Sequence, residues 1–506
     1  MKAIKHISYL FLVVSFCCFT SCKDLMTVKN DEKLSGDEFW SKGNEADVES
    51  FALSMYGFFR AATIMEAAFI VNTGDLRAAP VVPYTTDQNH YVRRLTSNNL
   101  NQLISDQGGS LGSNIIKWKK FYQVVQSANI LLENIDIVPG LSEQKKQEYR
   151  SEAIFMRNLT YFFLARVFGD IPYYINGHNQ EALPRANMVE VLRNCLADLQ
   201  TIVDADPNYQ YIPWRQTSVR KVGIRPNRGA VLLLMMHINM WLVRFDAPRA
   251  NTYYQNTVNL GNVLVENNGG VYYLLDMGQF RDIFRGGTAE TFFEIVQNIS
   301  MNETFPNNSN FSNLFTYRYR GAGTNSPLLY YQSDFLIRLF SPEETDLRRE
   351  AWFDKDIYMI DGAPKEVLKF LNPDLSGDNP TSNSSNQIVF RYADALLLYA
   401  EALAELGIDS DKARNLLNSV RERAGASLKT SSGDELKNDI YWERVRELIG
   451  EGQYFYDLIR TGKIHDPNYC YHPISRVNFN AGAWTWPIHP DAFNNNTKMT
   501  ENLYWK

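Results

Sequence analysis

The sequence predicts a mostly α protein, in which pairs of helices form a scaffold and an irregular, loop-rich region meets the ligand. Three observations lead there. Ala393, Leu396, Leu397, Ala400, Leu403 and Ala404 recur at the spacing of one helix face, and after Gly407 the pattern repeats at Ala413, Leu416, Leu417, Val420 and Ala424. Similar helical periodicity marks most segments between residues 37 and 268. From 269 to 386 it fades, and Asn, Ser, Gly and Pro cluster at Asn302–Asn313, Gly321–Pro327 and Asn372–Asn386.

In chain order, residues 1–21 read as an export signal. Lys2 and Lys5 precede an apolar run from Ile7 to Phe19 that is too short to span a bilayer. Phe19-Thr20-Ser21-Cys22 resembles a bacterial lipobox, in which Cys22 is acylated and becomes the first residue; Phe19 departs from the usual Leu, Val or Ile. The alternative is an ordinary secretory signal cleaved near the same place. Acyl chains on Cys22 hold a protein at a membrane surface, at about 0.8 kcal/mol per buried CH₂. No later run reads as a membrane span, so the expectation is an anchored chain. Of 5 Cys, only Cys195 and Cys470 then remain in the mature body, at a separation that permits a disulfide without arguing for one.

Asp37 to Arg60 reads as one helix with Phe51, Met55 and Phe58 on one side. Arg77 to Gly112 reads as a long polar loop. Helices follow at Trp118–Ile135 and at Ser142–Phe168, the latter with Ser142 as N-cap and Gly169-Asp170-Ile171-Pro172 as its stop. Further helices are expected at Met188–Asp204, Arg228–Arg244 and Tyr253–Asn267. The all-round apolar middle of Arg228–Arg244 implies a fully buried helix. Phe292–Val296 has the composition of a short strand. In the closing region, Gly407 is placed to end one helix, and Asp409 or Ser410 to cap the next. Small residues at Ala393, Ala400, Ala404 and Ala413 let two antiparallel helices approach closely, making a unit like a tetratricopeptide repeat (TPR). The resulting division is 22–268, a helical N-terminal region; 269–386, a loop-rich ligand-binding part; and 387–506, a helix pair with an irregular tail.

The net charge of −6, with no long basic run, argues against a nucleic-acid partner. No P-loop, dinucleotide fingerprint, G-x-S-x-G or H-E-x-x-H occurs, and no cofactor is expected. Glu443, Glu447 and Glu451, at i, i+4 and i+8, could serve a glycosidase. The interleaved Arg444, with Asp457 and Arg460 nearby, favours a structural ion network, because opposed charge depresses carboxylate pKa values. His465, Cys470 and His472 are spaced for a metal but lack a fourth local ligand. Asp374 to Asp378 reads as a plain turn, since it lacks the oxygen ladder of a calcium loop. His237, on an apolar helix, reads as a core histidine. The expected ligand contacts are aromatics outside the helices: Tyr84 and Tyr91 with Arg77 and Arg93, and Phe315, Tyr317 and Tyr319 alternating with Arg318 and Arg320. Aromatic faces stack on sugar rings, and the competing expectation is that these rings pack loops onto the scaffold.

Together these segments resemble the SusD/RagB family of Bacteroidetes outer-membrane lipoproteins. The resemblance rests on Phe39-Trp40, Gly74-Asp75, Glu152 to Arg157, Tyr161 to Pro172, Pro184-Arg185, Arg228-Gly229-Ala230, Arg391 to Asp394, Tyr399 to Ala402, Asn418 to Gly425, Glu451-Gly452, Asp457-Leu458, Arg460, Trp486 to Pro490, Asn502 and Tyr504. Tyr454 stands where the family commonly has Arg or His, and His489 where its ending more often runs Ile-Pro. The resemblance implies TPR-like helix pairs and a non-catalytic role: surface capture of an oligosaccharide and its delivery to a SusC-like TonB-dependent transporter. It implies an outer-membrane lipoprotein facing the exterior. Some relatives take up peptides, so peptide capture is the alternative. An extracellular glycosidase and a structural envelope lipoprotein are the remaining ones.

Overall fold

A computed structural model describes residues 36–506, except 66–67, 88–89, 106–109, 217–222, 299–300, 302, 307–308, 316–327, 359–364, 373–382 and 384. The fold is mostly helical. Its scaffold runs α1 (Glu45–Arg60), α2 (Lys119–Asn134), α3 (Glu143–Phe168), α4 (Met188–Ala205), α5 (Arg228–Phe245), α6 (Ala250–Gly261), α7 (Tyr392–Leu406), α8 (Ser410–Arg423), α9 (Gly433–Glu447) and α10 (Tyr454–Arg460). From α1 to α8 each helix packs against the next, and α9 packs on α7 and α8. This is the neighbour-to-neighbour packing of a TPR-like array. Two short antiparallel sheets complete it: β1 (Val81–Pro83) with β3 (Leu329–Tyr331), and β2 (Thr291–Ile295) with β4 (Gln387–Arg391).

Local chemistry accounts for the helix ends. Ser142 Oγ accepts from Lys145 N at 3.2 Å to open α3, and Gly169, at φ 73°, closes it. Gly407 ends α7 in the left-handed region, and Asp409 caps α8 by accepting from Lys412 N. The sequence α5 was expected to bury on all sides does so: every residue from Arg228 to Leu242 is buried. It packs against α3, α4, α6, α7, α10, β2 and β4, and so forms the centre of the core. Each fully buried Leu or Met there contributes about 1.5–3 kcal/mol.

Helix α6 packs directly on α7 although 130 residues of chain separate Gly261 from Tyr392. Contact is close enough that a Cβ on Gly261 would lie 2.5 Å from Tyr399 Cγ. The residues between leave the helix stack and return to it, with β2 pairing to β4 just before α7 begins.

Four expectations are corrected. The single helix over Asp37–Arg60 is two, Gly36–Lys42 and α1, because Asn44 and Asp47 form a capping box that starts a new helix. The expected loop at Arg77–Gly112 holds β1 and short helices at Tyr91–Thr96, Leu100–Ser105 and Ser110–Ile115. Val92, Leu95, Leu100 and Leu103 reach the core there, and burial overrides the polar composition around them. Helix α6 starts earlier than expected and gives way after Gly261 to a π-helical turn, Asn262–Glu266. Finally, α9 stops at Glu447, so Glu451 is not on the helix of Glu443; Gly450 and Gly452, at φ 83° and 80°, turn the chain.

Candidate functional site

The described ligand candidates lie around β1. Val82 pairs with Tyr330, and Tyr84, two residues on from Val82, follows the same face. The rings of Tyr84 and Tyr330 meet edge to face at 6.4 Å, and Tyr84 is 57% exposed. Its backbone N–H donates to Leu328 O at 2.8 Å, holding the pair at the end of the sheet. Leu328 beside it is also exposed. Tyr330 was missed from sequence; its only signal is its place in the run Leu328-Leu329-Tyr330-Tyr331.

Next along the chain, Arg93 donates to Thr85 O (2.6 Å) and Asp87 O (3.2 Å), which fixes the loop after Tyr84. His90 caps the helix Tyr91–Thr96 and stacks on the half-buried Tyr91 at 4.6 Å. The Tyr91 hydroxyl donates to Asn310 Oδ1 at 2.8 Å. The result is a small platform with one outward ring, one half-covered ring and fixed polar neighbours.

Two other candidates turn inward. Arg77 is buried: its Nε donates to Asn98 Oδ1 (2.9 Å), its Nη1 to Trp484 O (2.6 Å) and its Nη2 to Ala483 O (2.6 Å). The guanidinium lies 4.4 Å from the Phe455 ring centroid, and burial draws its pKa down to about 9. It ties the irregular tail to the N-terminal region and does not face a ligand. Phe315 is fully buried against Phe311 and Phe370, so it too is a packing residue. Apolar closure of the helix Asn310–Phe315 over the Gly450 turn accounts for this, since a Cβ on Gly450 would meet the Phe315 ring at 2.6 Å. Tyr317 and Tyr319 lie outside the described residues, as do Cys22 and the turn at Asp374–Asp378.

The glutamates of the closing region sit in a dry ion network. Glu443 accepts from Arg348 Nη1 (2.8 Å), Arg421 Nη1 (2.8 Å) and Arg446 Nη1 (2.5 Å). Glu447 accepts from Arg348 and Arg391, each at 2.8 Å, and from Arg423. Glu451 receives Arg391 Nε (2.6 Å) and Lys369 Nζ (2.5 Å). A second cluster joins Arg444 to Asp394 (2.7 Å) and Asp457 (3.2 Å), and Arg460 to Asp457 (2.7 Å) and Glu401 (2.8 Å). His237, buried on α5, reaches Asp394 Oδ2 at 2.6 Å.

Burial alone would raise the Glu443 carboxyl, but Arg348, Arg446 and Arg421 outweigh it and hold Glu443 at about 2. Burial likewise works against Arg423, Arg391 and Arg348 at Glu447, which ends well below the usual carboxylate range. A general acid needs the opposite shift and access to substrate, and Glu443, Glu447 and Glu451 are 0%, 1% and 5% exposed. The sign for stability follows. The folded state holds Glu443 and Glu447 deprotonated below the unfolded value near 4.5, so their contribution is complete above that pH and is lost as pH falls towards 2. Urea midpoints measured from about pH 5 down to about pH 2.5 should therefore drop as the pH falls.

Elsewhere, His465 is engaged with Ile474 O (2.7 Å) and Arg244 (2.8 Å), and Cys195 and Cys470 are free, buried thiols. Among the described residues, no group of three or more His, Cys, Asp or Glu could hold a metal ion, and no helix is long and apolar enough to cross a membrane.

With this geometry in hand, known proteins supply the comparison. The SusD family model matches residues 365–505, and a model described as starch-binding, associating with outer membrane, matches residues 62–232. The crystal structure of a SusD homolog from Bacteroides thetaiotaomicron is 51% identical, covers 92% of this chain and 100% of its own, and superposes with a TM-score of 0.87. SusD-like protein P38 of Formosa agariphila is 25% identical over 99% of this chain and 100% of its own length. A laminarin-binding SusD-like protein shares the fold at 19% identity, with a TM-score of 0.66 over 91% of this chain and 99% of its own.

Proposed function

The chain belongs to the SusD family, and from that premise we propose that it captures oligosaccharides at the cell surface and passes them to a SusC-like TonB-dependent transporter. Proteins of this family bind without catalysing a reaction, and the buried, arginine-saturated glutamates fit that role. In this reading, acylated Cys22 anchors the protein in the outer membrane facing the exterior. Residues 269–386 supply the ligand loops between the helical regions 22–268 and 387–506. Starch in the description of one matching family model and laminarin in the name of one structural neighbour favour a glucan as the first ligand class to test.

The observation that carries the reading is the outward Tyr84–Tyr330 pair. Aromatic rings at the end of a rigid sheet stack on a sugar face at little conformational cost. Tyr91, Tyr317 and Tyr319 extend the proposed binding surface. Tyr84→Ala should weaken binding of starch or laminarin oligosaccharides roughly tenfold by calorimetry, with a melting temperature like that of the wild type because the ring is exposed. Equal losses of affinity and stability would assign Tyr84 to packing. Retention of a peptide pool, with both glucans ignored, would transfer the role to peptide capture.

A further inference from the structure

A second aromatic groove lies on different elements from the Tyr84 platform. It measures about 350 Å³ and opens between the helix Ser333–Leu339, α9 and the loop around residue 468, within the range of small-ligand pockets. Its wall is a four-part stack. The Arg338 guanidinium sits 5.6 Å from the Trp442 ring centroid, Trp442 lies parallel to Tyr469 at 5.5 Å, and Lys463 Nζ backs Tyr469 at 4.2 Å. Tyr469 is also pinned by its hydroxyl, which donates to Asn438 Oδ1 at 2.7 Å. The rings are thus rigid, whereas Arg338 is exposed and held at its tip by one bond to Asn468 O.

Among the described residues, the Trp442 indole N–H has no acceptor and the Asn438 amide NH₂ no partner, and both residues line the groove. Most charges around them are already paired, Lys429 with Glu344 at 2.7 Å and Arg446 with Glu443 at 2.5 Å, while the Arg338 guanidinium faces the groove bonded only to a carbonyl. A partly exposed ring, unpaired neutral donors and a guanidinium free to donate suit a ligand of hydroxyls and C–H faces.

We propose that the Trp442 groove is a second saccharide site, which takes a pyranose ring against the exposed edge of the indole with Arg338 and Asn438 bonding its hydroxyls. The inference rests on the glycan reading above and adds a site to it. A chain with two saccharide sites on separate elements would hold a long polymer at two points, raising its effective affinity without a new contact.

Calorimetry with maltohexaose and with laminarihexaose, on the wild type, Arg338→Ala, Trp442→Phe and Tyr84→Ala, decides the matter. For the probe that binds, the wild type should show two sites per chain. Arg338→Ala and Trp442→Phe should each weaken one of them about tenfold or more and spare the other, and Tyr84→Ala should do the reverse. Trp442→Phe keeps a ring in the stack and Arg338 is exposed, so both variants should melt like the wild type. If they titrate like the wild type while Tyr84→Ala loses all binding, the groove is not a site and the glycan function stands. If the wild type binds neither probe, the groove assignment and the glucan reading fall together.

Discussion

Replacing Arg391 with methionine is expected to destabilise the protein by about 3–5 kcal/mol. This arginine is the hub of the buried network. Its Nη1 donates to Glu290 and Glu447, its Nε and Nη2 to the two oxygens of Glu451, and Nη2 also to Glu447 O at 2.9 Å. Methionine fills similar space but leaves three carboxylates in a dry interior short of a partner, and that uncompensated charge is the cost. Urea unfolding should show the midpoint falling sharply. A change below about 1 kcal/mol would mean that water reaches these groups and that the network is not the closed interior described.

Gly74→Ala should cost about 3 kcal/mol or more, although it adds a single methyl group. The new Cβ would lie 2.1 Å from Gly452 O and 2.5 Å from Gly452 C, backbone atoms that cannot swing aside. Gly452 is itself fixed, since its N–H donates to Asp75 Oδ2 at 2.7 Å and its φ is 80°. Shifting it would also disturb Tyr456, whose hydroxyl donates to Thr73 Oγ1 at 2.8 Å. Gly57→Ala is the control. That glycine lies in α1 with nothing within 4 Å of the added carbon, so alanine should gain about 0.5–1 kcal/mol from helix propensity. A Gly74→Ala protein as stable as this control would show that the two chain segments are not in contact.

The Gly74 contact also explains why the family could be read from scattered short motifs. Gly74-Asp75 and Glu451-Gly452 are far apart in sequence yet form one interface. Arg185 bonds Asp170 O, Phe168 O and the Asn502 side chain, which joins the end of α3 to the chain's last residues. Each motif looks weak alone because its partner lies hundreds of residues away. Helices were legible because their periodicity and caps are local: Ser142, Gly169, Gly407 and Asp409 act within a few residues of where they stand.

The candidate site was less legible, because inward and outward aromatics share one composition. Phe315 and Tyr84 both lie outside the long helices, but only the contacts with Phe370 and Gly450 reveal Phe315 as core. Arg77, in the same polar stretch as Tyr84, suggests a ligand contact; its acceptors include the carbonyls of residues 483–485, which no local pattern announces. β4 was hidden for a related reason. Gln387–Arg391 runs straight into α7, and only its partner β2 distinguishes it from a first helical turn.

The most direct test of the central claim mixes the purified protein with starch and laminarin oligosaccharides, measures binding by calorimetry, and then recovers the sugars for chain-length analysis. Saturable binding of at least one glucan, recovered at its original length, is the predicted result. No binding to either glucan, or recovery of shortened chains, would contradict the account of a non-catalytic glycan-binding protein.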